Sequence, residues 1–138
     1  MMKKMILFAA LFSLCSYVFA ADRTPSVDGS SVYIISPSDG EVVAQTFKVK
    51  FGLSGMGVAP AGVDKKGTGH HHLLINGKSL PDMSSAMGQN VKHFGGGQTE
   101  TILTLEPGEH TLQLILGDKN HVPHNPPIVS NQITIMVK

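Results

Sequence analysis

The chain has 138 residues, with 11 Lys+Arg against 10 Asp+Glu, 7 His, 1 Cys and no Trp. That length holds one ordinary domain, and the near-neutral balance argues against nucleic-acid binding through a basic face. Charged residues are only 15% while apolar residues reach 41%, enough for a core and too much for a wholly disordered chain. Seven histidines among so few other ionisable groups make His the residue type to follow.

Residues 1–20 read as an export signal rather than as part of the fold. Lys3 and Lys4 form a positive start, Met5 to Phe19 is an uncharged and mostly apolar run, and Val18 and Ala20 sit at the −3 and −1 positions of a cleavage site. The run is shorter than the roughly 20 apolar residues of a membrane span, so no membrane insertion is expected once the signal is cleaved. Leu14 before Cys15 does not suit lipid attachment, so Cys15 is expected to leave with the signal. The remaining 118 residues, 21–138, lose Lys3 and Lys4 from the 11 basic residues. That leaves 9 basic against 10 acidic residues, no cysteine and all seven histidines. An exported protein without disulfides must hold together by its core and by any ligand it takes. A periplasmic location is expected.

Residues 21–30 are polar and read as a flexible lead-in to a single domain over 31–138. Apolar residues then recur at the strand period. Val32–Ile35 forms a short strand closed by Ser36-Pro37-Ser38-Asp39-Gly40. Phe47, Val49, Phe51 and Leu53 alternate with Lys48, Lys50 and Gly52 in a half-buried antiparallel strand. His70–Ile75 ends at the turn pair Asn76-Gly77, and Gln98–Leu105 ends at Pro107-Gly108. Leu112, Leu114 and Leu116 share one face after His110, and Ile133, Ile135 and Val137 close the chain. Six or seven strands without a convincing amphipathic helix predict an all-β, immunoglobulin-like antiparallel sandwich of about seven short strands. Three long segments, Gly55–Gly69, Ser79–Gly97 and Lys119–Ser130, are too long for ordinary connectors and are candidates for function.

All the histidines except His110 fall in or beside these segments. Alternation along a strand puts His70 and His72 on one face, roughly 6–7 Å apart, and His71 on the other with Leu73 and Ile75. Two such imidazoles can lean onto one metal ion at about 2.0–2.1 Å each. His93 stands beside Phe94 and three glycines, where backbone can approach closely. His121 and His124 lie in a loop stiffened by Pro123, Pro126 and Pro127, which suits a preorganised site. The metal candidates are therefore His70, His72, His93, His121 and His124. His71 is expected to point into the core, and His110 to bond a turn carbonyl at the core rim. Met56, Met83, Met87 and Met136 show no dense repeat and are expected to fill packing gaps.

Four segments in order, G-T-G-H-H-H-L-L-I-N-G from Gly67, H-F-G-G-G-Q-T-E from His93, P-G-E-H-T-L-Q-L from Pro107 and H-V-P-H-N-P-P-I-V-S from His121, closely resemble the bacterial family called domain of unknown function 4399. The resemblance runs over about residues 31–138. It implies a small exported domain and no established activity.

The function expected first is binding of a transition metal, copper or zinc, since imidazoles suit both and no cysteine remains for a thiolate site. The alternatives are a module gripping a cell-envelope partner with structural histidines, and a metal-dependent hydrolase with Glu100 or Asp118 as base. The sequence has no serine elbow, phosphate-binding Gly-Lys motif or dinucleotide fingerprint.

Overall fold

In the computed structural model, residues 22–138 are described. The expected export signal, with Cys15, lies outside them. Among the described residues there is no helix, and none therefore that could cross a membrane.

The chain forms nine strands among the described residues: β1 (Ser31–Ser36), β2 (Val42–Val43), β3 (Thr46–Ser54), β4 (Gly57–Val58), β5 (Thr68–Ile75), β6 (Lys92–His93), β7 (Glu100–Thr104), β8 (Gly108–Gly117) and β9 (Ile133–Val137). They make two sheets, one ordered β1-β3-β7 and the other β2-β9-β8-β5-β4, with β6 paired to β5. The architecture is the expected all-β sandwich, and the six longer strands are the ones that alternation predicts. The additional strands have two residues each, too short for any period to show.

The core lies between the sheets. Val49 and Phe51 of β3 and Leu103 of β7 meet Leu73 of β5, Leu112, Leu114 and Leu116 of β8, and Ile135 and Val137 of β9. Each of these side chains is almost wholly withdrawn from water, which stabilises the fold by roughly 1.5–3 kcal/mol per large aliphatic group.

The β5/β8 pair is buried on its other face too. There Leu74 and Ile115 pack with Met87 and Val91 from the segment after β5. This second layer explains why β5 is closed to water on both sides: Gly69 to Leu74 are all buried. Residues 71, 73 and 75 face the sandwich core, and residues 70, 72 and 74 face the loop layer. Met87 fills a gap in that layer, as a flexible thioether commonly does.

The loop layer is knitted by backbone hydrogen bonds. Ala61 N–H donates to Gly95 O at 2.8 Å, Gly62 N–H to Lys119 O at 2.9 Å, and Met87 N–H to His121 O at 2.9 Å. The three long segments thus meet at one place, above the histidine end of β5. Residues 22–26, expected as a flexible lead-in, run along the 118–125 loop instead, with Asn125 N–H donating to Thr24 O at 2.9 Å and Ser26 N–H to Asn125 O at 3.2 Å.

Candidate metal site

Alternation along β5 sends the His70 and His72 rings into the loop layer, with centroids 4.5 Å apart. Antiparallel pairing sets His70 opposite Gly117 and His72 opposite Ile115. Gly117 leaves the space that His72 fills: a Cβ there would lie 2.4 Å from His72 Cε1 and 2.9 Å from its Nδ1. Both histidines are fully buried.

His121 comes down onto this pair from the loop after β8. Its backbone is left-handed, with φ 64°, a conformation that costs a non-glycine residue about 1–3 kcal/mol and needs support from its surroundings. Asp118 supplies part of that support. Its Oδ1 accepts the Asn120 N–H at 2.8 Å and the Val122 N–H at 3.0 Å, while its backbone O accepts the His121 N–H at 2.9 Å. His93 arrives on β6, whose pairing sets it opposite His72.

His121 Nδ1 lies 2.9 Å from His70 Nε2, 3.2 Å from His72 Nε2 and 3.0 Å from His93 Nδ1. Ring nitrogens of His70, His72 and His121 all lie within 4.8 Å of one another. His93 reaches His121 but stands outside that tighter group, and its side is exposed to solvent. Bonds of about 2.0–2.1 Å to one ion place ligand nitrogens roughly 2.9 Å apart at right angles and about 3.4 Å apart in a tetrahedron. The three distances to His121 fall in that span.

Hydrogen bonds at the far side of two rings decide which nitrogens carry lone pairs. His72 Nδ1 donates to His70 O at 3.2 Å, and His93 Nε2 donates to Gly88 O at 3.0 Å. A neutral imidazole has one N–H, so His72 Nε2 and His93 Nδ1 are left as acceptors, both aimed at His121 Nδ1. One hydrogen on His121 Nδ1 cannot serve these two and His70 Nε2 together. Several lone pairs therefore converge with too few protons between them, the arrangement a cation resolves. Backbone carbonyls that orient ligating imidazoles from behind are the usual support of a histidine metal site.

Burial and mutual repulsion favour the uncharged form of His70, His72 and His121. His70 is lowered to about 4 by burial, then by His121 and His93. His72 is lowered to about 3 by burial, then by His70, His93 and His121. His121 is lowered by burial and by His93. At neutral pH these rings are in the form that binds a metal.

The other histidines do not join. His124 is buried, but its Nε2 faces Thr68 O at 3.2 Å, away from the converging nitrogens. His71 faces the core as expected, with its ring 5.1 Å from Phe51 and neither nitrogen hydrogen-bonded. Burial lowers it to about 4. His110 bonds the turn carbonyl of Glu106 at 2.7 Å and the Asn76 side chain at 2.9 Å, a structural role. Of the two candidate bases, Glu100 belongs to the opposite sheet and pairs with Lys48 at 3.3 Å. Asp118 is engaged by Thr24, Asn120 and Val122. Burial alone would raise its carboxyl, but these donors and His124 outweigh that and lower it.

The family described as Domain of unknown function (DUF4399) matches residues 49–138, and the chain belongs to it. The matched span contains all four converging histidines. No curated protein and no solved structure matches the chain.

Proposed function

We propose that this DUF4399 protein is a transition-metal binder that holds one copper or zinc ion between His70, His72 and His121, with His93 as a fourth imidazole. The observation that carries the proposal is the convergence of ring nitrogens on His121 Nδ1, with the lone pairs of His72 Nε2 and His93 Nδ1 fixed by backbone carbonyls behind those two rings. Metal binding relieves the crowding of lone pairs around His121 Nδ1. An all-nitrogen set suits Cu(II) and Zn(II), and by the general affinity order Cu(II) binds more tightly. The export pattern of residues 1–20 supports a periplasmic setting, where the protein would bind, buffer or deliver its ion.

Calorimetric titration of metal-stripped protein with Cu(II) and with Zn(II) tests the proposal. One ion per chain is expected, with binding abolished or severely weakened by His72→Ala and His121→Ala and little changed by His110→Ala. Absence of uptake at micromolar concentrations, or uptake indifferent to His72→Ala and His121→Ala, would overturn it. A module that grips an envelope partner through structural histidines would give that second result.

A further inference from the structure

The segment 22–26 makes its hydrogen bonds to a single loop, the one that carries His121. Arg23 Nε and Nη2 both donate to Pro123 O, at 3.3 and 3.2 Å, and Nη2 also donates to His124 O. Thr24 Oγ1 donates to Asp118 Oδ2 at 2.7 Å. The backbone adds the two bonds to Asn125, where Pro25 and Asn125 form a parallel bridge. Both anchoring side chains are partly buried, so water competes poorly for these partners.

The two side chains act at the two ends of the turn that presents His121. Asp118 begins it, and its carboxylate is shared: one oxygen holds the Asn120 and Val122 amides, the other takes the Thr24 hydroxyl. Pro123 and His124 end it, and the Arg23 guanidinium gathers their carbonyls. Between these anchors His121 is held in its left-handed conformation, which an unsupported loop would relax.

We infer that residues 22–26 are a strap, with Arg23 and Thr24 as positioning residues that hold His121 where the metal needs it. Removing the strap lets the 118–125 loop open and draws His121 Nδ1 away from His70 and His72. The ion then keeps the strand ligands and loses the loop ligand. This inference rests on the metal reading above and adds to it a control element outside the 49–138 family match.

The test compares the unaltered protein with Arg23→Gln/Thr24→Val, Thr24→Val and Thr24→Ser. The double variant is expected to bind Cu(II) about 10–100-fold more weakly, the usual effect of losing groups that orient ligands. Its Cu(II) electron spin resonance pattern is expected to show one coupled nitrogen fewer. Thr24→Ser, which keeps the hydroxyl, should retain affinity and spectrum, whereas Thr24→Val should not. In the metal-free double variant the amides of Asn120 and Val122 should exchange hydrogen faster, with the exchange of buried β5 and β8 amides unchanged. Unchanged affinity, spectrum and loop exchange in the double variant would overturn the inference. No uptake by the unaltered protein would overturn the metal reading and with it the effect on affinity, while exchange at Asn120 and Val122 would still decide whether the strap positions the loop.

Discussion

Gly117→Ala is a small change that should damage the site without replacing a ligand. The added methyl would sit 2.4 Å from His72 Cε1, 2.9 Å from His72 Nδ1 and 3.0 Å from Met87 Cε. Carbon atoms in contact prefer about 3.5–4.0 Å, so the His72 ring must retreat by roughly 1 Å. The ring has little room, because Met87 packs in the same layer and Ile115 stands opposite His72 in the ladder. Retreat breaks the bond from His72 Nδ1 to His70 O and swings Nε2 off the metal position. Overpacking of this kind costs about 1–3 kcal/mol of stability. Thermal unfolding of the metal-free variant should register this as a fall of several degrees, at about 3–6 °C per kcal/mol for a domain of this size. Metal affinity should fall by about 10–100-fold, as for other losses of ligand orientation. Gly57→Ala is the control, since a Cβ there meets only Thr68 Cγ2 at 3.6 Å, an ordinary contact. Gly117→Ala with unchanged melting temperature and unchanged Cu(II) affinity would refute the packing argument, and so would equal losses in both variants.

Other outcomes follow from the same geometry. The metal-free protein should lose stability as pH falls below about 6.5. His70 and His71 are lowered to about 4 and His72 to about 3, so the unfolded chain takes up protons that the folded chain refuses. The stability they allow is therefore full above the unfolded value and is lost as pH drops toward the folded values, with a slope of up to about 1.4 kcal/mol per pH unit for each histidine. Denaturant unfolding at pH 7.5 and 5.0 measures this, and equal midpoints would contradict it. His71→Leu removes two buried ring nitrogens that lack partners, so it should raise the melting temperature, leave metal uptake unchanged and flatten part of that pH dependence. A lower melting temperature would show that the imidazole packs against Phe51 better than an aliphatic group does. His110→Ala should cost about 1 kcal/mol through the lost bonds to Glu106 and Asn76 and leave metal affinity intact, as parallel unfolding and calorimetric curves would report.

Much of the fold was legible because alternation along β3 and the first half of β8 is a local property of a half-buried strand. The same alternation correctly separated His71 from His70 and His72. The short strands β4 and β6 were not legible, since two residues show no period and their pairing is set by the loops around them. The site was legible in part. The H-x-H pair on a strand announces itself, and the family resemblance holds for residues 49–138. Separating His121 from His124 was beyond sequence reasoning, because both stand in one proline-rich loop with the same composition around them. The left-handed backbone at His121 and the Asp118 carboxylate that braces it turn one ring toward His70 and leave the other against Thr68 O. The strap was missed for a similar reason. A short polar segment reads as mobile unless its partners are known, and the partners of Arg23 are backbone carbonyls about a hundred residues away, which no sequence pattern marks.

The most direct test is diffraction from crystals of the Cu(II)- or Zn(II)-loaded protein, with data collected at the absorption edge of the metal. A single anomalous peak about 2.0–2.1 Å from His70 Nε2, His72 Nε2 and His121 Nδ1 is the predicted result. A peak at His124 or His110 instead, or no ordered ion among the four converging rings, would contradict it.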